Sequence, residues 1–324
     1  MDASSRTRNA ATPWGAIGAL FVVTLIWGGT FVWMKQGMDA VERALGPGHA
    51  TTGIALFMVL RFGVASVCTA AFIPASRREL AGDAWRGGMW IGALLFVGFA
   101  LQMFGLAEIS PAVSAFLTSL YVLFTAVLTA GIERRGPSFA LFLGVVLATC
   151  GAGFVRGRPE LSFNRGEIVT VGCAVLFALH ILATDRITKR VSPMAVTLTS
   201  FVWVSAASLV LFGVSMMRAG APGPEALLGL VTSAGFAVPL LLSSVLATFV
   251  ALSLMNHFQR QLDPVRAAIL YAFEPIWAAL FGIACGTDAF TVYLWSGGAL
   301  LLAGNLVAEI GQRRKLRAAA TNAS

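Results

Sequence analysis

Long apolar segments recur along the chain and are separated by short polar stretches. A helix needs about 20 apolar residues to cross a hydrocarbon core that is about 30 Å thick. Ten segments approach that length, and we predict ten membrane-spanning helices from them. Their expected bounds are 14–35, 51–73, 87–108, 112–131, 138–155, 167–184, 195–217, 235–257, 265–285 and 289–309.

The apolar runs are continuous and do not alternate with polar residues, which favours helices over a transmembrane β-barrel. Between the seventh and eighth predicted spans, the stretch 226–231 predicts a short helix at the membrane interface. The sequence therefore predicts an all-α integral membrane protein.

Composition and charge support this fold class. Apolar residues make up 57% of the 324 positions and charged residues only 12%, whereas soluble domains carry about 25% charged residues. The net charge is +8, but the basic residues flank the apolar runs, which is typical of membrane topology signals and argues against nucleic-acid binding.

The distribution of Lys and Arg predicts the orientation. With a cytoplasmic N-terminus, 16 of the 23 lie on the cytoplasmic side and six on the other, while Arg61 lies inside a span. We therefore expect tails 1–13 and 310–324 to be cytoplasmic in a multi-pass protein of a bacterial-type inner (plasma) membrane.

The chain contains an internal repeat with an offset of 153 residues. Pro111 matches Pro264, Gly144 matches Gly297, and further matches extend through both segments. We predict two five-helix repeats, at 14–155 and 167–309. Because five is odd, the repeats are expected to insert with opposite orientations, a pattern found in secondary transporters.

Several motifs resemble the EamA-type members of the drug/metabolite transporter superfamily. They are W-G-G-T-F at Trp27–Phe31, L-R-F-G at Leu60–Gly63, A-E-I-S-P-A-V-S-A-F-L at Ala107–Leu117 and F-E-P at Phe273–Pro275. The resemblance implies a ten-helix exporter or facilitator that works by alternating access. The subgroup exporting aromatic and other neutral amino acids is the leading match, which implies a zwitterionic substrate and no cofactor.

Glu274 is the foremost candidate for substrate binding, because it lies near the middle of a predicted span. Pro275 follows it and is expected to kink the helix and free the carbonyl of Tyr271. The offset makes Tyr121 equivalent to Glu274, and Thr118 equivalent to Tyr271. Each pair has i, i+3 spacing, so the sequence predicts two matched polar helix faces that line a cavity or bond between helices.

Other polar and aromatic positions are weaker candidates. Trp27 and His180 are repeat equivalents that either face the cavity or simply pack. Arg61 is predicted to have a structural role, pairing with Glu274 or with backbone carbonyls. The remaining candidates are Gln102, Ser243 and Ser244 for substrate binding and Pro239 as a helix break.

Alternative functions stay open within the transporter class. Glu274 suits a cationic drug, and a sugar-phosphate or nucleotide-sugar carrier would need more interior cations than Arg61 alone. An integral-membrane enzyme is disfavoured, since the three histidines are far apart and neither H-E-x-x-H nor G-x-S-x-G occurs. No metal site or oligomer is predicted.

Overall fold

The computed structural model describes residues 14–132, 138–155, 163–219, 222–258, 270, 271 and 273–321, apart from the side chains of 219, 256, 257, 312, 313 and 315–321. Its regular elements in these ranges are all helical. The α-helices are α1 Trp14–Leu45, α2 Ala50–Phe72, α3 Pro74–Arg78, α4 Gly82–Glu108, α5 Pro111–Thr118, α6 Tyr121–Ile132, α7 Phe139–Phe154, α8 Arg165–Thr188, α9 Pro193–Ala219, α10 Pro224–Thr232, α11 Ala234–Leu241, α12 Ala251–Phe258, α13 Glu274–Ala284 and α14 Val292–Thr321. A 3₁₀ turn spans Pro47–His49, and a π-helix spans Leu242–Val250 between α11 and α12.

Apolar helices long enough to cross a membrane dominate the fold. Within the described ranges eight spans meet this criterion, with α5 and α6 acting as one span and α11 to α12 as another. The shorter apolar helices α7 and α13 accompany them. Large apolar side chains such as Phe72, Trp90 and Phe139 point outward and are 72%, 66% and 79% exposed. The chain is therefore a multi-pass membrane protein with eight to ten apolar helices.

Two helices extend ten or more residues beyond their predicted spans. Helix α1 continues ten residues past the predicted end at 35, and there it packs against α2, with Gly37 close to Phe57 and Val41 close to Gly53. Helix α14 continues to Thr321, into the stretch predicted as a tail. The short helix expected at 226–231 is confirmed as α10.

Helices α7 and α14, the fifth helices of the two repeats, pack directly against each other. A Cβ added at Gly151 would lie 2.4 Å from the backbone nitrogen of Leu301, and one added at Gly304 would lie 2.5 Å from that of Ala148. Gly144 meets Gly304 while Gly151 meets Gly297, so the helices run antiparallel. This orientation is the one that inverted repeats require.

The fourth helices of the two repeats are both interrupted. The first is divided into α5 and α6, which begins at Tyr121, and α13 begins at Glu274, 153 residues further on. Pro275 lies in the first turn of α13. Backbone N–H groups in the first turn have no partner within the helix, so a proline there costs no hydrogen bond. The expected kink at Pro275 is thus a helix start, with Phe273 as its N-cap.

The break between α5 and α6 depends on a contact from the last helix. Asn305 of α14 donates from Nδ2 to the carbonyl of Ser119 at 2.9 Å and to its hydroxyl at 3.0 Å. The turn tightens there, with Val122 N–H bonding to Ser119 O and Leu120 N–H to Leu117 O. Thr118 therefore ends α5 and Tyr121 begins α6, so the pair does not lie within one continuous helix.

Candidate functional site

A polar cluster forms where the two interrupted helices restart. The hydroxyl of Tyr121 interacts electrostatically with the carboxyls of Glu274 and Glu309 and with Tyr271. Tyr121, Tyr271 and Glu274 are half-buried, and Glu309 is buried on α14. The cluster thus joins a residue of the first repeat to three residues of the second, near the middle of the span formed by α5 and α6.

Trp27 of α1 adjoins this cluster. Its ring centroid lies 6.0 Å from that of Tyr271, and its indole N–H donates to the carbonyl of Ala247 at 3.0 Å. The neighbouring Gly28 lets α1 approach α13 closely, since an added Cβ would lie 2.8 Å from the nitrogen of Ala278. Trp27 is therefore held in a fixed position beside Tyr271 and remains half-buried.

The π-helix supplies the acceptor for Trp27 and also binds Arg61. Within it, the Thr248 hydroxyl donates to the carbonyl of Ser243, five residues earlier, at 2.9 Å. Thr248 in turn accepts from the Nε of Arg61 at 2.9 Å. Isolated π segments inside α-helices occur frequently at functional sites. Pro239, predicted as a helix break, lies inside α11, just before this segment.

Arg61 is buried near the centre of α2 and is 3% exposed. Besides Thr248, it contacts the sulfur of Met34 at 3.2 Å and stacks over the ring of Phe99, 4.7 Å from its centroid. Across the described residues no contact joins it to Glu274, so the pairing considered from the sequence is not observed there.

Four predicted binding residues lie in closely packed interior positions. Gln102 and Thr118 are each 3% exposed and face each other at 3.5 Å, while Ser243 and Ser244 are fully buried. The Ser244 hydroxyl bonds to the carbonyl of Leu240 one turn earlier. A direct contact of these four with substrate stays a prediction.

His180 lies on α8 and is half-buried. Its Nε2 lies 3.5 Å from the hydroxyl of Thr184, one turn further along the helix. In the part of the chain that the structure describes, no contact joins it to Tyr121 or Glu274. The repeat equivalence with Trp27 therefore does not bring His180 into the cluster.

Glu309, Asn305 and Thr248 were not predicted as site residues. Glu309 is the last residue of a predicted span, where an acidic residue usually marks the interface. Asn305 and Thr248 are common polar residues in membrane helices, and only their partners reveal their roles.

A second group of charged contacts surrounds Lys35 and Asp288, at the junctions of α4 with α5 and of α13 with α14. Lys35 donates to the carbonyls of Leu106 and Ala107 at the end of α4, at 3.1 Å each. Asp288 accepts from the Ala112 N–H in the first turn of α5, at 3.2 Å. Burial raises the pKa of Asp288, although hydrogen bonds and Lys35 oppose this effect. These contacts, which we call the charged latch, link the second repeat to the first.

Comparison with known proteins supports a transporter. The model of the EamA-like transporter family matches residues 14–157 and 164–309. An uncharacterized transporter of Archaeoglobus fulgidus is 26% identical over 297 residues, which cover 90% of this chain and 84% of the relative. A crystal structure of a protein that is 18% identical has a TM-score of 0.58 and covers 93% of this chain and 98% of its own. This last similarity concerns the fold alone.

The fold and these comparisons define a membrane transporter of small molecules rather than an enzyme. The chain belongs to the EamA-like transporter family, within the drug/metabolite transporter superfamily, and carries two EamA repeats.

Proposed function

We propose that this protein is a secondary transporter of small neutral amino acids, above all aromatic and other hydrophobic ones. The observation that carries the proposal is the cluster of Tyr121, Tyr271 and Glu274 with Trp27 beside it. Together with the buried Glu309, it combines two acidic groups, two phenol hydroxyls and an aromatic wall between the two repeats.

The chemistry of a zwitterion fits this combination. Its ammonium group requires an anionic or strongly dipolar partner, and the carboxyl of Glu274 with two phenol oxygens provides one. The indole of Trp27 offers an apolar surface of low conformational entropy to a hydrophobic side chain. An apolar environment also disfavours phosphate, whose desolvation requires several cations.

Alternating access would use the interrupted helices. The positions 119–120 and 273 interrupt two spans at equivalent places of the repeats. Broken helices of this kind are common at the midplane sites of secondary transporters. We infer that the charged latch of Lys35 and Asp288 closes the non-cytoplasmic side and opens when the repeats rock.

The orientation belongs to the same proposal. Both termini are cytoplasmic in a bacterial-type inner membrane, as the Lys and Arg distribution predicts. Reporter fusions after Leu316, one active in the cytoplasm and one in the periplasm, test this. Activity of the periplasmic reporter would reject a model with an even number of spans.

An organic-cation exporter is the second candidate, because Glu274 would also suit a cationic drug. The decisive experiment is uptake by proteoliposomes of phenylalanine, leucine, a hydrophobic cation and a sugar phosphate, each against protein-free liposomes. We expect saturable uptake of the two amino acids, and lower intracellular amino-acid levels on overexpression. Uptake of only the cation or only the sugar phosphate would reject the amino-acid assignment and keep the transporter class.

A further inference from the structure

Arg61 is a buried cation without an anionic partner in the described structure. It lies near the middle of α2 and is 3% exposed. Neither of the ion pairs between described residues involves it. A buried charge is normally paired or neutralised, because a medium of low dielectric constant stabilises it poorly. The buried charge of Arg61 therefore requires an anionic partner, and none of the described residues provides one.

The contacts that Arg61 does make leave most of its donors unused. A guanidinium has five N–H groups. One is donated to the hydroxyl of Thr248 at 2.9 Å, and one points to the thioether of Met34 at 3.2 Å, which is a weak acceptor. The ring of Phe99 covers one face at 4.7 Å. The remaining donors and the planar fork suit a bidentate carboxylate.

Two contacts relate Arg61 to the polar cluster. Thr248, which binds Arg61, directly follows Ala247, which binds the indole of Trp27. Met34, which also contacts Arg61, lies seven residues after Trp27 on α1 and so shares its face. Seven residues of helix span about 10 Å. Arg61 thus lies beyond Trp27, about two helical turns from it along α1, on the way to the latch at Lys35.

We propose that Arg61 is a specificity-determining residue that binds the carboxylate of the substrate at a second subsite. This inference deepens the proposed function and rests on it. Glu274 receives the ammonium group, and Arg61 receives the carboxylate. The separation along α1 exceeds the distance between the two charges of one α-amino acid, so the two residues engage the same molecule in succession as it moves past Trp27.

The subsite explains why Arg61 is held rigidly without being neutralised. Thr248 and Phe99 fix the position and the plane of the guanidinium, and neither cancels its charge. A carboxylate at α2 would replace the weak contact with the Met34 sulfur by charge-assisted hydrogen bonds. Arg61, predicted from the sequence as structural, therefore gains a role in substrate selection.

The test uses three compounds that share a phenylethyl group. Phenylalanine carries both charges, 3-phenylpropanoate carries only the carboxylate, and 2-phenylethylamine only the ammonium. Proteoliposomes holding the full-length protein take up labelled phenylalanine, and each analogue is titrated as an inhibitor. We expect Arg61→Gln to raise the inhibition constant of 3-phenylpropanoate by about tenfold or more, because charge-assisted bonds are lost, and to leave that of 2-phenylethylamine unchanged.

Control variants and a binding assay distinguish a loss of carboxylate binding from a general loss of transport. Arg218→Gln removes the same charge from an exposed position at the end of α9 and should behave as wild type. Arg61→Lys should recover part of the 3-phenylpropanoate sensitivity. If Arg61→Gln abolishes uptake, inhibition cannot be measured, and binding of 3-phenylpropanoate is measured instead by its effect on the thermal unfolding of the purified proteins. We expect 3-phenylpropanoate to stabilise the wild-type protein and not the variant.

Equal sensitivity of wild type and Arg61→Gln to 3-phenylpropanoate would overturn the subsite and leave the amino-acid assignment intact. Absence of phenylalanine uptake by the wild-type protein would reject the assignment itself. That result would also reject Arg61 as a binding site for the carboxylate of an amino-acid substrate.

Discussion

The two repeats agree where helices pack against each other and differ where their interrupted helices restart. At the interface of α7 and α14, Gly144 meets Gly304, the repeat equivalent of Gly151, and Gly151 meets Gly297, the repeat equivalent of Gly144. At the restarts, by contrast, Tyr121 stands opposite Glu274. The repeated residues build the scaffold, and the residues that differ give the site its polarity.

This difference explains how a nearly symmetric fold acquires a site with a defined direction. An acid present in only one repeat places the attraction for an ammonium group on α13. Trp27 and Arg61 both lie in the first repeat and both bind the π-helix of the second, through Ala247 and Thr248. Changes at matched glycines should therefore affect folding, and changes at unmatched polar residues should affect transport.

The largest effect on stability is expected for Gly151→Leu. A side chain there would collide with the backbone of α14, because an added Cβ lies 2.4 Å from the nitrogen of Leu301. Overpacking of this kind costs about 1–3 kcal/mol or more. Gly153→Leu is the matched control, since nothing lies within 4 Å of a Cβ at Gly153. Thermal unfolding in detergent should show a much lower midpoint for Gly151→Leu only, and equal midpoints would contradict the scaffold role.

A moderate effect on transport is expected for Trp27→Phe. The substitution keeps an aromatic face beside Tyr271 but removes the N–H that bonds to the Ala247 carbonyl. Hydrogen bonds between membrane helices are worth about 0.6 kcal/mol on average, which corresponds to about threefold in a rate or affinity. Initial uptake rates should fall by this factor.

Trp90→Phe is the control for the Trp27 substitution, because Trp90 is 66% exposed on the outer surface. It should transport like wild type. A loss of the same size in both variants would mean that Trp27 has no special role.

The smallest expected effect is a pH dependence of stability that arises from Asp288 in the charged latch. Because the folded protein raises the pKa of Asp288 above its ordinary 3.8, it binds this proton more tightly than the unfolded chain. The contribution of Asp288 to stability is thus present below 3.8 and is lost as the pH rises through the raised pKa. Asp288→Asn keeps an oxygen acceptor for the Ala112 N–H.

Midpoints of thermal unfolding measured from pH 4 upwards check this prediction. The midpoint of wild type relative to Asp288→Asn should decrease as the pH rises. A difference that increases with pH would show that the hydrogen bonds outweigh the burial of the carboxyl.

Much of the fold follows from local patterns in the sequence. Apolar runs locate the spans because lipid requires every backbone polar group to bond within its own helix. The offset of 153 residues relates Gly144 to Gly297, Gly151 to Gly304 and Tyr121 to Glu274. These features depend on neighbouring residues or on comparison of the chain with itself.

Features that depend on contacts between distant residues could not be predicted from local sequence patterns. No proline or glycine marks the break after Thr118. The contact found there comes from another helix, where the amide of Asn305 binds the Ser119 carbonyl. Nothing local in Leu242–Val250 indicates a π-helix. The partners of Arg61 likewise become visible only once α1, α2 and the π-helix are packed together.

The central claim is that the cluster at the restarted helices binds the ammonium group of the substrate through Glu274. Glu274→Gln keeps the size of the side chain and replaces its ionisable carboxyl with a neutral amide. Glu225→Gln makes the same change at an exposed position on α10 and serves as the control. Both variants should fold and express like wild type.

Phenylalanine uptake by proteoliposomes with equal amounts of each protein is the most direct measurement. Bonds to a charged group are worth about 1.5–3 kcal/mol, so Glu274→Gln should lower the initial rate by about 10-fold to 100-fold while Glu225→Gln matches wild type. Full retention of uptake in Glu274→Gln would remove this residue from the transport mechanism and contradict the account.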